Sequence, residues 1–129
     1  MQKTLFLGAI CALTGVGFGA FGAHGLKDLL SPEMLAVYHT GVDYQMWHAL
    51  GLLLIALLQQ VSPNAKSLTW AAYLMFAGIV LFSGSLYALA ILDLKALGMI
   101  TPFGGVCFLL AWLLVAVYAV KKKTHSRYS

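Results

Sequence analysis

Charge is the scarcest property of this sequence. Only twelve of its 129 residues are Asp, Glu, Lys or Arg, and just four of those are acidic. They are also unevenly placed: the 26 positions between Lys66 and Asp93 carry no charge, and neither do the 25 between Lys95 and Lys121. A soluble domain draws about a quarter of its residues from the charged set to cover its surface, so 9% excludes that class. The two cysteines, Cys11 and Cys107, both fall in apolar stretches, which excludes a disulfide framework and leaves them as small apolar fillers. Paired carboxylates, a nucleophile-elbow serine and a Cys/His set at ligand spacing are all missing. No catalytic residue, metal or cofactor is therefore expected. The surplus of positive charge sits in a short tail rather than on a face interleaved with aromatics, so nucleic acid is not an expected partner.

What the sequence does have is apolar length. Hydrophobic residues make up 61% of the chain, and thirteen glycines accompany them. Each uncharged stretch can cross a hydrocarbon core of about 30 Å, which takes roughly 20 helical residues. The expected fold is all-α: a single integral membrane domain over 1–129, a four-helix bundle with spans at about 4–23, 42–60, 68–92 and 99–120. The first apolar run, following Lys3, has something of a signal peptide, but its glycine pattern and the three later spans predict that it is kept as a helix. Ser31-Pro32-Glu33 is an N-cap, a first-turn proline and a first-turn acid, a strong helix start. A helix from there to Gln60 would be roughly 43 Å long, too long for one straight crossing. The 32–41 stretch is accordingly expected as a short interfacial helical segment, with Tyr38 at headgroup level and a bend at Gly41. Ser62-Pro63-Asn64 is turn chemistry, and Thr101-Pro102 repeats the cap-plus-proline start.

Basic residues set the expected orientation. With four spans, Lys3, Lys66, Lys121, Lys122, Lys123 and Arg127 share one side and only Lys27 and Lys95 the other, which predicts both termini in the cytoplasm, with the last four as topology anchors. In the first span, Gly15, Gly19 and Ala23 are four apart, a small-residue face for close helix packing, while Gly8, Gly15 and Gly22 repeat every seven. Packing within the bundle is the expected use of these glycines, and a homo-oligomer or another membrane protein the other.

Polar residues gather at one depth. His24, His39, Asp43, Tyr44, Gln45, His48, Ser83, Ser85, Tyr87 and Thr101 all fall in the outer half of the bundle, with His48 roughly 9 Å below the boundary at about 1.5 Å per residue. Tyr44 and His48 are four apart, as are His39 and Asp43, and Ser83 and Tyr87, so each pair can touch on one helix face. His39 and His48, nine apart, face opposite ways. Because an unpartnered polar group in lipid is costly, the expected polar site is His48 at the centre, Tyr44 and Tyr87 as hydroxyl partners, Ser83 deeper, and His24 with Thr101 at the mouth.

Four segments carry a family resemblance: Gly19-Ala20-Phe21-Gly22-Ala23-His24-Gly25-Leu26, Tyr44-Gln45-Met46-Trp47-His48-Ala49-Leu50, Leu81-Phe82-Ser83-Gly84-Ser85-Leu86-Tyr87 and Ile100-Thr101-Pro102-Phe103-Gly104-Gly105. In this order they resemble the signature of the small bacterial membrane proteins of domain of unknown function family 423, also called uncharacterised protein family 0382. The resemblance implies four membrane helices and makes His24, Tyr44, His48, Ser83, Tyr87, Thr101 and Pro102 characteristic positions. It carries no activity with it. The departure is at Leu92-Asp93, where the family bears a glycine turn. The expected function is that of a non-enzymatic structural or accessory component of the bacterial cytoplasmic membrane, with the lipid bilayer as its surroundings. The alternative is an oligomeric small-molecule or ion transporter using the outer polar site.

Overall fold

The structure, a computed structural model, describes residues 1–128, and the side chains of all of these except 124–126 and 128. Helix α1 spans Gln2–His24, α2 Pro32–Val61 and α3 Lys66–Gly78; a π-helical turn, Ile79–Ser83, joins α3 to α4, Gly84–Leu92. A 3₁₀ turn, Lys95–Met99, precedes α5, Thr101–Tyr128. Four stretches are long and apolar enough to cross a membrane: Gln2–His24, Pro32–Val61, Lys66–Leu92 and Lys95–Lys123. The fold is thus all-helical with four spans.

The start of α2 is set by its first three residues. Ser31 is extended and its Oγ accepts the Met34 N–H at 3.2 Å, while Pro32 fills a first-turn position that has no amide to satisfy. From there the helix runs unbroken for 30 residues, about 45 Å at 1.5 Å each, with no interruption at Gly41. Gly41 instead admits a neighbour: a Cβ there would lie 2.8 Å from Tyr87 Cε1. Tyr38, expected at headgroup level, is 1% exposed and joins Leu26 and Ala90 in a small second core. The 32–41 stretch therefore continues the bundle along α4.

Helix α1 packs antiparallel on α2, and the heptad glycines make the contact. Gly8 meets Leu52 and Leu53, Gly15 meets Met46, and Gly22 meets the Tyr38 ring, so seven steps along α1 match about seven in reverse along α2. Thr4 and Cys11 complete this buried face. The four-spaced series performs less well: Gly19 is half-buried beside Val42, and Ala23 is exposed. An α-helix drifts only about 20° per heptad, which keeps residues seven apart on one line longer than residues four apart.

The main core lies between α2, α3 and α5, with Leu52, Ile55, Leu68, Ala71, Met75 and Ala111 at or near zero exposure. Large apolar side chains such as Leu13, Val16, Leu57, Trp70, Leu109 and Leu113 point outward. In water this would be an unstable surface; in hydrocarbon it is the expected one. Asp93 ends α4 in the left-handed conformation, φ 55°, the role glycine usually takes at a helix C-terminus. The helix of the last span continues past residue 120, carrying Lys121, Lys122, Lys123 and Arg127 as exposed side chains.

Candidate functional site: a polar and aromatic layer between the helices

The expected site residues, His24 apart, fall in the half of the bundle nearer the α1–α2 and α4–α5 connections, as four separate hydrogen-bonded groups. The first centres on Gln45, on the buried face of α2. Its Nε2 donates to Cys11 O at 2.9 Å and to Thr14 Oγ1 at 2.8 Å, and its Oε1 accepts the Tyr87 hydroxyl at 2.6 Å. Thr14 in turn donates to Ile10 O at 2.9 Å. One amide thereby ties α1, α2 and α4 together.

The second and third groups flank the π-helical turn. Ser83, 1% exposed, donates to Gly41 O at 2.6 Å. Ser85 donates to Phe82 O at 2.9 Å, so in its 2.6 Å contact with Thr101 it is Thr101 that donates. That use of the Thr101 hydroxyl fastens the start of α5 to α4. The turn itself has an i→i+5 bond, Gly84 N–H to Ile79 O, and such an inserted residue rotates the helix on its C-terminal side. Here it sets Ser83 and Tyr87 against Gly41 and Gln45, two pairs at the same four-residue spacing on facing helices. The Phe82 backbone is approached so closely by Gly104 of α5 that a Cβ at 104 would lie 2.7 Å from Phe82 Cβ.

The fourth group holds His48. Its Nδ1–H donates to Tyr44 O, one turn back on the same helix, at 2.7 Å. The imidazole stacks on Phe108 with centroids 3.6 Å apart and planes 12° apart. Tyr44, Phe82 and Trp112 extend the cluster, Tyr44 lying 4.4 Å from Phe82 and Trp112 5.9 Å from His48. His48 is buried and faces the bundle, as expected of an intramembrane histidine. Its expected hydroxyl partners are elsewhere. Tyr44 offers it a backbone carbonyl and a ring, and Tyr87 is taken by Gln45.

One expected member stands apart: His24 is exposed at the end of α1 and takes part in none of the four groups, and His39 and Asp43 are exposed as well. His39 and His48 do face opposite ways. Among the described residues no group of three or more His, Cys, Asp or Glu could hold a metal. Tyr38, outside the expected site, joins the layer: it packs on Gly22 and donates to Phe18 O at 2.5 Å. Gln45 is the other member that sequence reasoning leaves out of the site, and its signal is plain, since an amide inside an apolar span must be partnered.

Open space is found at the opposite end of the bundle. A cleft of about 800 Å³ lies between α1 and α3, and a smaller one of about 370 Å³ between the Ser62 turn and the base of α5. Near the second, Ser62 and the Tyr118 hydroxyl are 2.8 Å apart and Lys122 donates to Tyr118 at 3.4 Å.

Known proteins agree with this architecture in name and in length. Residues 18–105 match the family described as protein of unknown function DUF423. The chain is 53% identical to the UPF0382 membrane protein YwdK of Bacillus subtilis over 121 residues, covering 94% of this chain and 98% of that protein. It is 46% identical to a UPF0382 membrane protein of Staphylococcus epidermidis and 43% to one of Staphylococcus haemolyticus, each with the same coverage. No solved structure matches. Matched through all four spans and nearly end to end with these relatives, the chain belongs to the DUF423 family and is a membrane protein.

Proposed function

We propose that the protein is a non-enzymatic structural or accessory component of the bacterial cytoplasmic membrane, with both termini in the cytoplasm. The observation that supports this most is the use to which its polar side chains are put. Gln45, Ser83, Ser85, Tyr87, Thr101 and His48 each bond to a group of the same chain at 2.6–2.9 Å. The bonds of Gln45, Ser83, Tyr87 and Thr101 run between helices and hold them in register, while that of His48 fixes its ring against its own helix. The connections are also short: six residues lie between α1 and α2 beyond Gly25, and four between α2 and α3. That leaves the lipid-facing surface as the place where the protein meets anything else. The six-against-two distribution of basic residues supports the orientation.

The experiment is proton and potassium flux in liposomes holding the purified protein, read with an internal pH dye and a potential dye. This function gives flux equal to protein-free liposomes, for wild type and His48→Ala alike. Protein-dependent flux that disappears in His48→Ala would establish the transporter instead.

A further inference from the structure

The 800 Å³ cleft between α1 and α3 is lined by Gln59, a residue 9% exposed whose Oε1 is the one buried side-chain polar atom without a partner among the described residues. An unpaired amide oxygen in such a place costs about 1–3 kcal/mol, so the site calls for a donor from outside the chain. The cleft arises from the packing: α1 and α3 both lean on α2 while α3 also holds α5, which leaves a gap between α1 and α3 floored by α2. Its lining changes along its length. Lys3, Thr4, Gln59 and Thr69 stand at one end; Tyr73 and Phe76 continue it, with Phe76 about 10 Å further along α3 than Thr69 at 1.5 Å per residue. The polar end lies where α2 is about to finish at Val61, two residues past Gln59, which is headgroup level for a span ending there.

We infer that this cleft is a binding site for an anionic phospholipid whose headgroup carries hydroxyls, of the phosphatidylglycerol kind. With the Gln59 amide turned toward the cleft about its terminal torsion, a headgroup hydroxyl donates to Oε1; the phosphate lies by Lys3, and one acyl chain follows the apolar part past Phe76. Each part of the lipid is called for by a different feature: the orphaned acceptor by a donor, the lysine by an anion, and the tapering polarity by an amphiphile. An apolar transmembrane helix would supply neither the donor nor the anion. The cleft also lies at the end of the bundle where Lys66, Lys121 and Lys122 gather, the side on which basic residues attract anionic lipid.

The test uses the full chain purified in detergent, with lipid retention read by native mass spectrometry and stability by thermal unfolding. Phosphatidylglycerol, phosphatidic acid and phosphatidylcholine with identical acyl chains are added in turn, and glycerol phosphate alone in a fourth arm. Wild type should retain phosphatidylglycerol above phosphatidic acid, which has the charge without the hydroxyls, and both above phosphatidylcholine. Gln59→Leu should unfold at or above the wild-type temperature without lipid, since it removes the orphaned atom, yet lose roughly two- to tenfold of the preference over phosphatidic acid. Lys3→Gln should weaken both anionic lipids alike, by roughly fivefold. Glycerol phosphate alone should do nothing. Equal retention of all three lipids, a preference that survives Gln59→Leu, or stabilisation by glycerol phosphate alone would overturn the inference. So would a dimer crosslinked through Tyr73→Cys that phosphatidylglycerol does not disperse, because a second copy would then fill the cleft.

Discussion

The Tyr87 hydroxyl donates to Gln45 Oε1 at 2.6 Å across the interface of α4 and α2, and the same Gln45 amide reaches α1 through Cys11 O and Thr14 Oγ1. Three helices therefore depend on one side chain. Bonds between membrane helices are modest on average because the unfolded chain in the membrane also finds partners, but here removing one member strands another. Tyr87→Phe should cost about 1–2 kcal/mol in denaturant unfolding from micelles. In a double-mutant cycle with Gln45→Leu, the second change should add less than its cost alone, since the orphan is gone. Full additivity would mean that the bond contributes nothing.

Two adjacent glycines give opposite predictions. Gly104 faces the Phe82 backbone, which cannot swing away, whereas a Cβ at Gly105 would lie 4.0 Å from Phe82 Cδ2, an ordinary contact. Gly104→Ala should destabilise by about 1–3 kcal/mol through overpacking. Gly105→Ala should be neutral or stabilise by up to about 1 kcal/mol from helix propensity. Unfolding midpoints of the two variants, compared under one condition, check the closeness of α5 to the π-helical turn.

Asp93 occupies a left-handed conformation that costs a side chain roughly 1–2 kcal/mol and glycine nothing. Asp93→Gly should raise stability by up to about 1 kcal/mol, because the added freedom of the unfolded chain offsets part of the relief. Asp93→Val should lower it, since a β-branched residue tolerates this region worst. Thermal unfolding of the pair gives the sign directly.

These positions show how far the sequence can be read. The spans are legible because charge is absent for 25 residues at a time, and the Ser31 cap is legible because its chemistry is local. The polar layer is legible as a depth, since a rise of about 1.5 Å per residue places His48, Tyr87 and Ser83 without knowledge of any contact. Which group bonds to which is not. The π-helical turn at Ile79–Ser83 has no mark in hydrophobic periodicity, and it decides that Ser83 and Tyr87 meet α2. The burial of Tyr38 is illegible for a related reason: a tyrosine at headgroup level can face lipid or a neighbouring helix, and only the bare Gly22 opposite it makes room for the ring. His24 looks like a site member by depth alone, and depth says nothing about facing.

The central claim is that the layer around His48 is closed to water, its imidazole stacked on Phe108 and held by the Tyr44 carbonyl. Water access at position 48 tests it most directly. In protein made cysteine-free by Cys11→Ala and Cys107→Ala, with His48→Cys added, a membrane-impermeant thiol reagent is applied to either side of sealed vesicles. The account predicts labelling no faster than at Leu52→Cys, a fully buried core position, while Asp28→Cys in the exposed connection after α1 labels readily. Labelling at position 48 within about tenfold of the Asp28→Cys rate, from either side, would contradict it and open a water path to His48.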